Sequence, residues 1–280
     1  MKVEQIIFLD IDGTLINAEK KISPLSRKVI KQLESRSEIL IVLISARMPK
    51  SLVYICSDLD IPKNIISFNG AVGTLESFEN HQIKLSAEQL LSPSLALTCY
   101  KCCKDYDDMT FNIYTQDTWL ANELNRWTQR EIDNTFVKPD YVGITIDNLA
   151  ELTTEKDIYK ILIRSNKENL TNIKSNLYAA KVDKLSNMIA TRDTLVEVTP
   201  MDVHKGTAVK KIGHWLGIEA ENMMAFGDAD NDIEMIKEVK YGYAVKNASD
   251  SLKNIAYEVI ASNSDDGVVK QLIKSFGLKA

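Results

Sequence analysis

The chain has no apolar stretch long enough to cross a bilayer. The run Ile6-Ile7-Phe8-Leu9 that follows Met1-Lys2-Val3-Glu4 is closed by Asp10, whereas a spanning helix needs about 20 apolar residues. We therefore expect neither a signal peptide nor a membrane segment, and a cytoplasmic location. Basic residues are not in excess: 34 Lys and Arg against 39 Asp and Glu leave a net charge of -5, with a pI near 5.4. That balance argues against a nucleic-acid-binding surface but leaves room for a small local anion site. Histidine is scarce, and His81, His204 and His214 build no nucleophile and base pairing. Cysteine numbers four, and Cys99-x-x-Cys102 has no second ligand pair to complete a zinc site, so Cys56, Cys99, Cys102 and Cys103 read as reduced, structural thiols. Repeats, low-complexity tracts and long linkers are also lacking. What remains is an ordinary globular composition, 45% hydrophobic and 26% charged, on a length that predicts two domains or a core with a large insertion.

Short, unbroken apolar runs rich in β-branched residues mark strands buried on both faces: Gln5 to Leu9, Ile39 to Ile44 and Asn64 to Phe68. Between them lie helical patterns, one opened by the N-cap Ser23 and first-turn Pro24, the next carrying Leu52, Val53, Ile55, Cys56 and Leu59. This βαβαβ order predicts a parallel sheet with right-handed crossovers. After Asn69-Gly70-Ala71 the pattern changes. A hairpin is expected over Val72 to Leu75 and Gln82 to Leu85, then helices near 86–105, 117–134 and 166–179, with strands at 110–114 and 159–164. From Lys205 the βα alternation resumes, with strands at 223–226 and 243–245 and a closing helix near 267–276. The expectation is an α/β protein: a doubly wound, mostly parallel, Rossmann-like core, residues 1–83 and 198–280, interrupted by an α+β insertion, residues 84–197.

In open α/β sheets ligands bind beyond the carboxyl ends of the strands. Asp10 and Asp12 follow the first strand, Ser45 the second, and Asp228, Asn231 and Asp232 the strand at 223–226. In Asp10-Ile11-Asp12-Gly13-Thr14 two carboxylates and a glycine share one turn, which can aim acids and backbone N–H groups at one point. A carboxylate is a nucleophile for phosphoryl groups, and a second one can protonate the leaving oxygen and later deprotonate water. So many acids call for a cation, and magnesium suits a few carboxylates completed by water and phosphate. Asp10 and Asp228 are the expected direct ligands, the Asp12 carbonyl a third, with Asp232 behind them. Lys205 is the natural counter-charge to a phosphate, with Ser45, the Ala46 N–H and Asn231 as hydrogen-bond donors. Taken singly, Asp-x-Asp-Gly is often a turn or a calcium loop and Lys-Gly a solvated helix entry; their conjunction at strand ends favours a site.

These segments resemble the haloacid dehalogenase superfamily, specifically its Cof-type, cap-bearing phosphatases. Phe8-Leu9-Asp10-Ile11-Asp12-Gly13-Thr14-Leu15 is similar to the first motif, Leu43-Ile44-Ser45-Ala46-Arg47 to the second, Lys205-Gly206 to the third and Gly227-Asp228-Ala229-Asp230-Asn231-Asp232 to the fourth. Asn69-Gly70-Ala71, Val245-Lys246-Asn247-Ala248 and Asp265-Asp266-Gly267-Val268 support the likeness. The resemblance implies Mg2+, an aspartyl-phosphate on Asp10, Asp12 as general acid and base, Ser45 and Lys205 as phosphate ligands, Asp228 as metal ligand, and the insertion as a mobile cap. Two departures, Ser45-Ala46 for the commoner Thr-Gly and Ala229 for a frequent Gly, remove no needed chemical group.

The expected partner is a small phosphorylated metabolite, a sugar phosphate or a phosphorylated cofactor. Arg47 and Asn69 are further candidates for substrate contact, against a core-surface salt bridge and a turn. Within the insertion, Tyr114, Trp119, Arg126, Trp127, Arg130, Tyr141 and Arg192 offer pocket-lining types, although aromatics at helical spacing are more often core. A phosphatase is the first reading. A phosphomutase, which returns the phosphoryl group to product, is the second, and a non-enzymatic phosphometabolite-binding regulator the third.

Overall fold

The structure, a computed structural model, describes residues 3–78, 81–83 and 90–279, without the side chains of 81–83 and 190–192. The chain divides into two units, Met1–Leu85 with His204–Ala280, and Ser86–Val203.

In the first unit the chain runs through β1 (Gln5–Asp10), α1 (Pro24–Glu34), β2 (Ile39–Ile44), α2 (Pro49–Leu59), β3 (Asn64–Ser67), β4 (Val72–Leu75) and β5 (His81–Ile83). The second unit contributes α3 (Pro93–Lys101), β6 (Thr110–Tyr114), β7 (Trp119–Ala121), α4 (Arg126–Thr135), β8 (Tyr141–Val142), α5 (Leu149–Thr153), β9 (Lys160–Arg164), α6 (Lys167–Ala179), β10 (Asn187–Arg192) and β11 (Leu195–Thr199). The first unit then resumes with α7 (Lys205–Leu216), β12 (Met223–Gly227), α8 (Ile233–Lys237), β13 (Tyr241–Val245), α9 (Asp250–Ile255), β14 (Glu258–Ile260) and α10 (Gly267–Phe276).

The first unit's sheet has the order β14-β13-β12-β1-β2-β3-β4-β5. It is parallel from β14 to β3, and β4 and β5 close it as an antiparallel hairpin. β1 is central, and Ile6, Ile7, Phe8 and Leu9 are all fully buried, each such side chain stabilising the fold by roughly 1.5–3 kcal/mol. Helix α1 starts where its sequence says: Ser23 Oγ accepts from the Ser26 N–H at 3.0 Å and Pro24 occupies the first turn. Its Val29, Ile30 and Leu33 face the core.

The second unit's sheet has the order β10-β11-β9-β6-β7-β8 and is antiparallel except for the β7–β8 pair. One face, with Phe111, Ile113, Ile161, Ile163, Val196 and Val198, joins Cys99, Leu170 and Ile173 in a separate apolar cluster. The alternate positions include buried polar and charged groups, among them Asn112, Lys160, Arg164 and Glu197. Lys160 pairs with Glu197 at 3.5 Å and Arg164 with Glu131 at 3.0 Å.

Two expectations change here. The helix expected over 117–134 is a strand followed by a shorter helix: Trp119–Ala121 pairs with β6, and α4 starts only after Asn125, whose side chain caps it. Sheet pairing overrides the helical spacing of the aromatics. The expected boundary at 197/198 falls inside β11, which pairs with β9 and β10, so the second unit continues to Val203. The expected helix start at 86 and hairpin end at 84–85 lie outside the described residues. The four thiols are free, and burial pushes those of Cys56 and Cys99 up to about 12, which leaves them inert. Among the described residues no helix is long and apolar enough to cross a membrane.

Candidate active site

Strand register builds the site. Asp10 lies level with Ile44 of β2, and Leu9 level with Phe226 of β12, so Ser45 and Asp228 each leave the sheet one residue past Asp10's row. Behind Asp10, α7 begins at Lys205, whose side chain is fully buried and places Nζ 2.5 Å from Asp10 Oδ1 and 2.6 Å from Asp232 Oδ1. A cation in the first turn of a helix opposes the helix dipole. The two carboxylates offset that cost here.

Asp10, Asp228 and Asp232 each place a carboxylate oxygen within 4.8 Å of the others. Burial raises the Asp10 carboxyl, the Lys205 charge opposes the rise, and Asp232 and Asp228 add to it, so Asp10 lies well above the usual range. Asp228 is pushed up to about 6, first by burial and then by Asp232. Burial disfavours the Lys205 charge, but Asp10 and Asp232 outweigh it and hold the ammonium above its ordinary value. The donors are all hard oxygens in a crowded anionic group, which fits a small divalent cation. Asp232 has the least to offer one. Its Oδ1 takes Lys205, and its Oδ2 accepts the N–H groups of Asp228 and Ala229 at 3.0 Å each.

Asp12 stands apart from these three. Its Oδ2 accepts from Arg47 Nε at 2.6 Å, and its Oδ1 from Arg47 Nη2 at 2.8 Å and Lys20 Nζ at 3.0 Å. Burial raises this carboxyl, but Arg47 and Lys20 overcome the effect and bring it to about 2. The buried Arg47 donates its remaining Nη1 to Ser51 Oγ at 3.0 Å, so its whole guanidinium is engaged within the core. Gly13 is required by its surroundings: φ is +85°, and a Cβ would collide with the Asp228 carboxylate. Thr14 Oγ1 reaches Asp228 Oδ1 at 3.3 Å, and Asn247 Nδ2 holds the Gly13 carbonyl at 2.8 Å.

On the opposite side, Ser45 is buried, and its Oγ accepts the Arg47 N–H at 3.3 Å. Its neighbour Ala46 joins it in the turn after β2. Asn69 is buried with φ +56°, next to Phe68 at φ +51°. Left-handed backbone costs a bulky residue on the order of 1–3 kcal/mol and collects at functional sites. Asn69 Oδ1 accepts from Asn231 Nδ2 at 3.1 Å. Thus Asp10, Ser45, Lys205, Asp228, Asn231 and Asp232 gather at one edge of the sheet. Sequence reasoning missed Lys20, which reaches Asp12, and Asn263, which ties the Ile16 carbonyl at 2.8 Å; these are loop contacts without a motif. In the second unit, Trp119 is buried and stacks on Tyr114 at 5.4 Å, Trp127 Nε1 bonds the Asp108 carbonyl at 2.9 Å, and Arg126 pairs with Asp108. The Arg192 side chain lies outside the described residues.

The haloacid dehalogenase-like hydrolase family model matches residues 7–272. The chain belongs to the haloacid dehalogenase-like hydrolase family. This hydrolase is 28% identical over 284 residues to the 5-amino-6-(5-phospho-D-ribitylamino)uracil phosphatase YitU of Bacillus subtilis, covering 98% of each chain. Its fold matches a haloacid dehalogenase-like hydrolase from Bacteroides thetaiotaomicron with a TM-score of 0.85 and 24% identity, over 98% of this chain and 100% of that one. A subclass IIB sugar phosphatase of the family superposes with a TM-score of 0.77 and 19% identity, over 98% and 99% of the two chains. The hydrolase is a phosphatase.

Proposed function

We propose that this phosphatase is magnesium-dependent, transfers the phosphoryl group of a small phosphorylated metabolite to Asp10, and then releases it to water. The observation that carries this reading is Asp10 itself, a buried carboxylate ending the central strand, 2.5 Å from Lys205 Nζ and grouped with Asp228. Asp10 attacks phosphorus, the ester P–O bond breaks, and the leaving oxygen takes a proton from Asp12. Water then loses a proton to Asp12 and attacks the aspartyl-phosphate, which returns Asp10 and orthophosphate. Arg47 and Lys20 hold Asp12 as a carboxylate, the form the second step needs; for the first step that clamp must loosen.

Lys205, Ser45, Asn231 and the N–H groups of Gly13 and Ala46 are the proposed phosphate donors. The proposed magnesium ligands are Asp10, Asp228 and the Asp12 carbonyl, with Asp232 orienting Lys205 and the Asp228 turn. When bound, the ion supplies positive charge to the phosphate oxygens and to this acidic group. Both the uracil derivative named for the Bacillus subtilis relative and the substrates of a sugar phosphatase carry phosphate on a sugar or ribityl chain, so we take that substrate class for this chain. The second unit serves as the cap that the family resemblance implies.

Orthophosphate release from a panel of sugar, ribityl and cofactor phosphomonoesters, with and without magnesium, tests the reading. Turnover should need the metal and fall by at least about a thousandfold in Asp10→Asn, because an amide is no nucleophile. Persistent turnover in that variant, or isomerisation of substrate without phosphate release, would sink it.

A further inference from the structure

The turn after β3, Phe68-Asn69-Gly70, performs none of the proposed chemistry, yet it touches the Ser45–Arg47 loop, the start of α7 and Asn231. The Asn69 N–H donates to the Ser45 carbonyl at 2.9 Å and the Phe68 N–H to the Arg47 carbonyl at 3.1 Å. Gly70 sits so close to the start of α7 that a Cβ there would come within 2.7 Å of the His204 carbonyl. Asn69 Oδ1 accepts from Asn231 Nδ2 at 3.1 Å. Because β1 and β2 lie between β3 and β12, this last bond spans the strand ends over which Asp10 stands.

A primary amide has a donor end and an acceptor end of nearly the same shape. Turned one way, Asn231 offers N–H to an anion; turned the other, it offers a repelling carbonyl. The Asn69 oxygen accepts one Nδ2 hydrogen and so selects the first orientation, leaving the second hydrogen for a ligand. The left-handed backbone of Asn69, tolerated by asparagine, and its N–H bond to the Ser45 carbonyl hold the residue beside the Ser45 loop, where it is 6% exposed.

We propose that Asn69 is a positioning residue that locks the donor end of the Asn231 amide toward the substrate phosphate. This rests on the phosphatase reading with Asn231 as a phosphate donor. Asn69→Gly removes the amide and keeps the backbone angle accessible. The test is a double-mutant cycle on the magnesium-loaded enzyme, with Asn69→Gly, Asn231→Ala and the pair together. The readouts are kcat and KM for p-nitrophenyl phosphate and the inhibition constant of inorganic phosphate.

Each single variant should raise the phosphate inhibition constant about tenfold, the worth of one hydrogen bond to a charged group, with a smaller change in kcat. The double variant should stay within about twofold of Asn231→Ala, since Asn69 acts only through it. An additive loss of about a hundredfold, or an Asn69→Gly protein that binds phosphate like wild type, overturns the proposal. Should Asn69→Gly not fold, Asn69→Asp keeps the acceptor and the backbone. Since the acceptor is kept, Asn231→Ala should still raise the phosphate inhibition constant about tenfold on the Asn69→Asp background; an Asn231→Ala that costs little there counts against the lock. If wild type turns over but Asn231→Ala binds phosphate normally, this proposal falls and the phosphatase reading stands. If wild type releases no orthophosphate, the reading falls, and the same non-additivity, measured on phosphate binding by calorimetry, decides the role of Asn69.

Discussion

Glu34 ends α1 with Oε2 buried and without a hydrogen-bond partner among the described residues, and burial raises its carboxyl to about 7. The unfolded chain ionises this group near 4.5. The folded state therefore holds the proton more tightly, and stability present below about pH 4.5 is lost as pH rises toward 7. Glu34→Gln should match wild type in the acid range and melt higher above pH 7, as thermal unfolding across pH will show; no gain above neutrality contradicts this. Lys205 poses the reverse problem, a buried cation serving two acids. Lys205→Met should cost about 3–5 kcal/mol in urea unfolding, and magnesium should recover more stability in the variant than in wild type. At this scale Asp10, Lys205 and Asp228 were legible in the sequence, because an acid or lysine where an apolar strand or helix turn should continue has no bland explanation in company. The Arg47–Asp12 clamp was not. It joins residues 35 apart through rotamers that no spacing encodes.

Gly13 matters to the element that carries it. The turn after β1 folds back through N–H groups of Leu15 and Ile16 to the Ile11 carbonyl at 3.1 Å each, and it packs against the Asp228 carboxylate with no room for a methyl group. Gly13→Ala should displace Asp228, lowering magnesium-dependent turnover by at least about tenfold and raising the magnesium concentration for half activation, while circular dichroism stays native. A variant with unchanged magnesium response contradicts the packing argument. The first unit's strands could be read directly, since residues buried on both faces leave continuous apolar runs. Trp119–Ala121 could not, because three residues carry no period and their strand state comes from β6 beside them. β14 and β10 escaped for another reason: they are edge strands, with one partner each and a mixed composition.

The two units have separate apolar clusters and separate sheets. The segment 90–203, expressed alone, should therefore give a cooperative melt and dispersed amide signals, whereas residues 1–83 alone should not, because β1 would lack its β12 neighbour. A disordered 90–203 segment would show that its cluster does not suffice. The discontinuous organisation was legible from the break in βα alternation after Asn69-Gly70-Ala71 and its return at Lys205. The boundary was not, since β11 reads as an ordinary apolar strand that either unit could have owned.

That organisation also imposes a timetable. Lys205 and Asp10 are separated by 195 residues, about 10–40 s of ribosomal synthesis. During that interval the central strand of the first unit has been made with its carboxylate but without its β12 neighbour or its ammonium partner, and the contiguous second unit is completed just as the interval closes. The nascent chain thus finishes its insertion before the domain that hosts it, and the Asp10 carboxylate gains its ammonium partner only after the whole insertion has been made.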